Sequence, residues 1–79
     1  MKVEVLGTGC KRCDQLYENA LSAASTSSGV QVEKINDVNY FMSKGVFMTP
    51  GLVIDGKVIS VGKVLSVEEI VQKIGEAKG

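Results

Sequence analysis

The spacing of apolar and polar positions changes repeatedly along this chain, and each change marks an element. Residues 2–6, Lys-Val-Glu-Val-Leu, are short and rich in branched side chains. They predict a strand that stops at the turn Gly7-Thr8-Gly9. Helical spacing follows. Cys13, Leu16, Tyr17, Ala20, Leu21 and Ala24 fall on one stripe, with Lys11, Arg12, Asp14, Glu18 and Asn19 mostly off it. This helix is expected to fray in Ser25-Thr26-Ser27-Ser28, whose hydroxyls compete for backbone partners, and to end at Gly29. Residues 30–35 open with alternation and predict a second strand. The helix between the two strands makes them parallel neighbours with a right-handed connection. Asn36 or Asp37 is placed to cap a short helix that carries Val38, Phe41 and Met42 inward and stops at Gly45.

The second half is more sharply punctuated. Leu52-Val53-Ile54 and Lys57–Val61 flank Asp55-Gly56. Asp-Gly between two such runs predicts a hairpin, because a type I′ turn needs positive φ at both central positions. Ser66-Val67-Glu68-Glu69 reads as a capping box, with Leu65 and Ile70 as the hydrophobic staple around it. Ile70, Val71, Ile74 and Ala77 predict the buried face of a last helix, and Lys78-Gly79 a loose end. The order is βαβαββα: an α/β domain with a four-stranded mixed sheet flanked by helices.

The chain has 79 residues, which allows one domain, 1–79, without a linker or repeat. A domain this small buries only ~60% of its unfolded surface, but 44% apolar residues still supply a core. Formal charge is zero and no Lys/Arg cluster exceeds Lys11-Arg12, which argues against nucleic acid. No apolar run approaches the ~20 residues that cross a bilayer, and no apolar leader follows Met1-Lys2. A cytoplasmic monomer is expected.

Chemistry concentrates in Gly7-Thr8-Gly9-Cys10-Lys11-Arg12-Cys13, which holds both cysteines of the chain; there is no His. Two cysteines are too few for a disulfide-rich secreted scaffold, and in a reducing compartment such a pair is more often catalytic or metal-binding. Cys10 lies at the start of the predicted helix, where unpaired N–H groups and the helix dipole favour an anion. Lys11 and Arg12 are expected to tune its ionisation from exposed positions. Cys13 falls on the apolar stripe, one turn further in. That asymmetry suits disulfide exchange, in which one thiol attacks and the other resolves. Gly7 and Gly9 keep the approach to Cys10 open.

Two other readings stand beside this one. A structural zinc site wants four ligands, which the chain does not offer. A two-thiolate Cu(I) carrier survives on ligand count, and heavy-metal-associated domains resemble the chain at the Cys-x-x-Cys after a first strand. They carry Met where this chain has Thr8, and their order βαββαβ ends in a strand. The bland reading is two small buried hydrophobes.

The dithiol at a strand-to-helix junction, Thr49-Pro50 before a hairpin and the βαβαββα order together resemble a minimal thioredoxin fold. Gly-Thr-Gly-Cys-x-x-Cys opening so short a chain resembles the small thioredoxin-like redox-active disulfide proteins of archaea and anaerobic bacteria. The resemblance implies a thiol–disulfide oxidoreductase that reduces protein disulfides, with Cys10 as nucleophile and Cys13 as resolving thiol. It implies a cis Pro50 beside the dithiol, and Thr49 offering its backbone to an extended substrate, with Gly9 and Gly62 lining the same site. No bound cofactor is required, since the dithiol carries the electrons. A flavin-dependent disulfide reductase, fed by NADPH or ferredoxin, is the expected donor. Glu4 stands six positions before Cys10, where thioredoxins place a buried acid, so it is a candidate proton relay for Cys13. Strand alternation with Val3 and Val5 points it instead to an exposed face. Phe47 and Met48 form either an apolar rim near Pro50 or part of the core. The Trp and Gly-Pro usual around the thioredoxin dithiol are replaced here by Gly9 and Lys11-Arg12. The glycine and acidic run of glutaredoxins after the hairpin is missing, since Gly62 leads to Lys63-Val64-Leu65-Ser66.

Overall fold

A computed structural model describes residues 1–78. It contains β1 (Lys2–Leu6), α1 (Lys11–Ala24), β2 (Gln31–Ile35), α2 (Val38–Ser43), β3 (Gly51–Ile54), β4 (Lys57–Val61) and α3 (Val67–Lys78). The sheet order is β2-β1-β3-β4, with β1 parallel to β2 and antiparallel to β3, and β3 antiparallel to β4. This is the expected four-stranded mixed sheet flanked by helices.

The local signals act as their chemistry requires. Ser25 and Thr26 hydroxyls donate to the Ser22 and Ala23 carbonyls at the end of α1 (2.6 and 2.7 Å). Asp55 and Gly56 both adopt positive φ in the β3–β4 turn. Ser66 and Glu69 form the reciprocal capping box, the Ser66 N–H on Glu69 Oε1 at 3.0 Å and the Glu69 N–H on Ser66 Oγ at 3.2 Å. Asp37, rather than Asn36, caps α2 by accepting from the Asn39 and Tyr40 N–H groups.

Two apolar clusters form, one on each face of the sheet. Val3, Val5, Leu52 and Ile54 pack with Leu16, Ala20 and Ala23 of α1 and with Ile70 and Ile74 of α3. Leu6 and Val53 pack on the other face with Phe41 of α2 and Val46. The buried stripe of α1 is narrower than its spacing predicts, because α1 shares its face of the sheet with α3. It runs through Cys13, Leu16, Ala20 and Ala23, leaving Leu21 exposed. In α2, too short to bury more than one side, Phe41 alone is buried, and Val38 and Met42 lie in solvent. On α3, Ile70 and Ile74 make the contact, and Val71 and Ala77 are exposed. Lys78, expected loose, closes α3 and reaches the Ser28 carbonyl at 3.4 Å; Gly79 lies outside the described residues.

Glu4 is the buried charge of this fold, only 6% exposed. Alternation placed it outward, but β1 is an interior strand covered on both faces, so its polar side is buried too. Its Oε1 accepts from the Tyr40 hydroxyl at 2.7 Å. That hydrogen bond, with burial and the carboxylate's charge, raises the Tyr40 pKa above its ordinary 10.0. The raised value means the folded state favours the protonated phenol. Its stabilisation is therefore whole below pH 10.0 and is lost as pH rises through the folded value. Tyr40→Phe leaves a buried carboxylate short of a donor and is expected to cost about 1–3 kcal/mol near neutral pH. Urea unfolding checks this: the gap between wild type and Tyr40→Phe should hold constant up to pH 10.0 and shrink above it.

Candidate active site

β1 delivers the chain to the dithiol at the end of the sheet. Its ladder continues one residue further, with the Gly7 N–H donating to the Ile35 carbonyl at 3.0 Å. Gly7 is buried, and a Cβ there would fall 2.6 Å from Cys13 Cβ and 2.7 Å from Cys13 Sγ. The glycine thus makes room for Cys13, not an approach to Cys10. Gly9, with φ of +91° and open space around it, turns the chain so that the helix can start.

Cys10 is the N-cap of α1, with extended backbone (φ −75°, ψ 165°). Its Sγ accepts from the Cys13 N–H at 3.2 Å, where a serine or aspartate oxygen would otherwise sit. Both cysteines are free thiols, Cys10 exposed and Cys13 with no exposed surface. Burial alone pushes the Cys13 thiol up. Hydrogen bonds from the Cys10 side chain, the backbone of Thr8 and Cys10 and the Thr49 side chain outweigh it, so Cys13 ionises below its usual range.

The opposite wall comes from the segment before β3. The Thr49–Pro50 peptide bond is cis, Pro50 is buried and Thr49 half-buried against Cys13. The Gly62 N–H donates to the Pro50 carbonyl at 2.8 Å, and Gly62 takes a φ of +73°. Arg12 reaches across from α1 and donates from Nη2 to the Gly62 carbonyl at 2.6 Å. Expected to act on the dithiol from an exposed position, it also ties the first turn of α1 to the end of β4. Lys11 stays exposed. Phe47 and Met48, immediately before Thr49, are 78% and 65% exposed, so they form a rim and not core.

Cys10, Cys13, Thr49, Pro50, Gly62 and Arg12 are thus brought together from three parts of the chain. Glu4 is buried as a relay requires, but its carboxylate is engaged by Tyr40. Tyr40 itself escaped the sequence reading. The signal available was that an acid on an interior strand needs a buried donor, and α2 carries a phenol next to its inward Phe41. Among the described residues no group of three or more His, Cys, Asp or Glu side chains is arranged to hold a metal ion.

Gly7→Ala must displace the Cys13 sulfur and is expected to lower stability by about 1–3 kcal/mol. Gly75→Ala, inside α3 with open space at its Cβ position, is expected to raise it by about 0.5–1 kcal/mol. Urea midpoints of the two variants against wild type test the contrast, and equal small shifts would mean that Gly7 carries no packing constraint.

The geometry has a counterpart among known proteins. A family model described as a thioredoxin domain matches residues 1–75. The comparison with curated proteins found no match. The matched span takes in β1, the dithiol, the cis Pro50 wall and all but the end of α3, and with it the chain belongs to the thioredoxin-domain family as a small redox-active thiol protein.

Proposed function

We propose that the protein is a thiol–disulfide oxidoreductase that reduces disulfides in other proteins, with Cys10 attacking and Cys13 resolving. The observation that carries this reading is the unequal setting of the two thiols. Cys10 is exposed at a helix cap, and Cys13 is sealed one turn deeper between Gly7 and Thr49. Only Cys10 is accessible to an incoming disulfide.

The Cys10 thiolate attacks one sulfur of the substrate disulfide. That S–S bond breaks, a Cys10–substrate disulfide forms, and the departing substrate thiolate takes a proton. Cys13, as thiolate, then attacks Cys10 Sγ. The mixed disulfide breaks, a Cys10–Cys13 disulfide forms, and the second substrate thiolate leaves and is protonated. Two electrons have passed to the substrate. The backbone N–H groups of Thr8 and Cys10 and the Thr49 side chain, which do not depend on a free Cys10 thiol, favour the Cys13 anion in this second step, where the thiolate is the nucleophile. Thr49, beside the cis Pro50, presents backbone to an extended substrate segment, as strand addition requires. Phe47 and Met48 supply apolar contact at the rim. The oxidised dithiol is returned to the thiol form by a flavin-dependent disulfide reductase, supplied by NADPH or ferredoxin.

Cys10→Ser is expected to abolish insulin-disulfide reduction in the presence of dithiothreitol. Cys13→Ser is expected to stall as a covalent mixed disulfide on Cys10, visible by non-reducing electrophoresis and mass spectrometry. A Cys10→Ser variant that keeps wild-type activity would sink the assignment. A stoichiometric metal that survives a competing chelator, in a protein with no reversible disulfide, would replace the reading with two-thiolate metal transfer.

A further inference from the structure

The chain carries no net charge, yet its charges are not evenly spread around the dithiol. Lys11 and Arg12 lie between the two cysteines. Lys63 follows Gly62, whose carbonyl Arg12 holds, and its charge also acts on Glu69. Lys11 and Lys63 are exposed, and among the described residues neither takes part in an ion pair or a side-chain hydrogen bond.

The nearby carboxylates are committed elsewhere. Asp14 is paired with Lys34 at 2.7 Å. Asp37, beside β2 on the far side from Pro50, caps its own helix. Glu69 folds back onto Ser66 in the capping box. Glu18 and Glu68 are exposed but lie well down α1 and at the head of α3. The height of α3 is set by Asn19, whose amide donates to the Leu65 carbonyl at 2.9 Å. Nine residues of helix separate Asn19 from Cys10, a rise of roughly 13 Å. That exceeds the screening length of ~8 Å at physiological ionic strength. A protein arriving at Cys10 therefore meets Lys11 and Arg12 on the first turn of α1, with Lys63 following Gly62, and the one carboxylate of that turn, Asp14, already paired; Phe47 and Met48 offer apolar surface at the other wall.

We infer that the dithiol selects partner disulfides set in acidic sequence, steered and held by Lys11, Arg12 and Lys63. This rests on the disulfide-reductase reading and adds the class of partner. Two electrons pass from the dithiol to the partner's cystine through the same Cys10 mixed disulfide; the cations change the encounter, not the chemistry. A negatively charged thiolate left to itself favours basic partners, so a preference for acidic ones has to come from the rim.

Three synthetic peptides, each closed by one disulfide and differing only in acidic, neutral or basic flanking residues, provide the test. Their second-order reduction rates by the pre-reduced protein are compared with those by dithiothreitol, which has no rim. At low salt the acidic-to-basic rate ratio is expected to exceed that of dithiothreitol by about tenfold, at the lower end of electrostatic steering. The excess should fall as salt rises. Lys11→Glu/Lys63→Glu is expected to bring the ratio to or below the dithiothreitol value; the ratio cancels any change in thiol reactivity common to all three peptides. A wild-type ratio equal to that of dithiothreitol, or an excess indifferent to salt, overturns the inference while leaving the reductase reading intact, since all three peptides are still reduced. If dithiothreitol reduces the peptides and the protein reduces none, both readings fall.

Discussion

The sulfur of Cys13 occupies the space that a side chain at position 7 would need. The rest of the site follows from that contact. Because residue 7 has no Cβ, the first turn of α1 can settle directly on the end of the central strand β1, and Cys13 loses all exposure. Cys10 is then held at the cap of the same helix, at the surface. A dithiol carried on a helix further from the sheet would expose both sulfurs alike, and attack and resolution would have no fixed order. Interiors are packed too densely to absorb an extra methyl at such a point.

The opposite wall is held by backbone groups more than by side chains. Pro50 and Gly62 are joined through N–H and carbonyl, and Arg12 closes the circuit back to α1. Pro50 is thus tied to Gly62 and Gly62 to α1, while Phe47 and Met48 stay exposed. The other face of the sheet has a similar economy. One phenol from α2 satisfies the acid buried on β1, and the same short helix places Phe41 against Leu6 and Val53.

What could be read from the sequence was whatever depended on neighbours in the chain. The Asp55-Gly56 turn, the Ser66–Glu69 capping box and the dithiol at a helix start each rest on residues within four positions of one another, and each formed as read. The buried faces were legible only in outline, because periodicity marks an apolar side without saying how wide a contact the neighbours leave. Leu21 and Ala77 fell outside for that reason. The partnerships of Glu4 with Tyr40 and of Arg12 with Gly62 join residues 36 and 50 positions apart. No local pattern announces them; they follow from strand order, which makes β1 interior, and from the turn after β4. The cis Pro50 came from family resemblance, since an X-Pro bond taken alone favours trans.

The hydrogen bond from the Cys13 N–H to Cys10 Sγ belongs to two equilibria at once. It helps the reduced chain to fold, by satisfying a helix-end donor, and whatever part of it is lost when that sulfur enters a disulfide enters the redox equilibrium. In a thermodynamic cycle the same free energy appears on both the folding side and the redox side. Each increment by which the cap stabilises the reduced protein over its disulfide form makes that disulfide a stronger oxidant by the equivalent potential, about 30 mV for each ~1.4 kcal/mol. The strength of a helix cap is therefore linked to the poise of the redox couple, and a change at the cap that the two forms feel unequally is recorded in both.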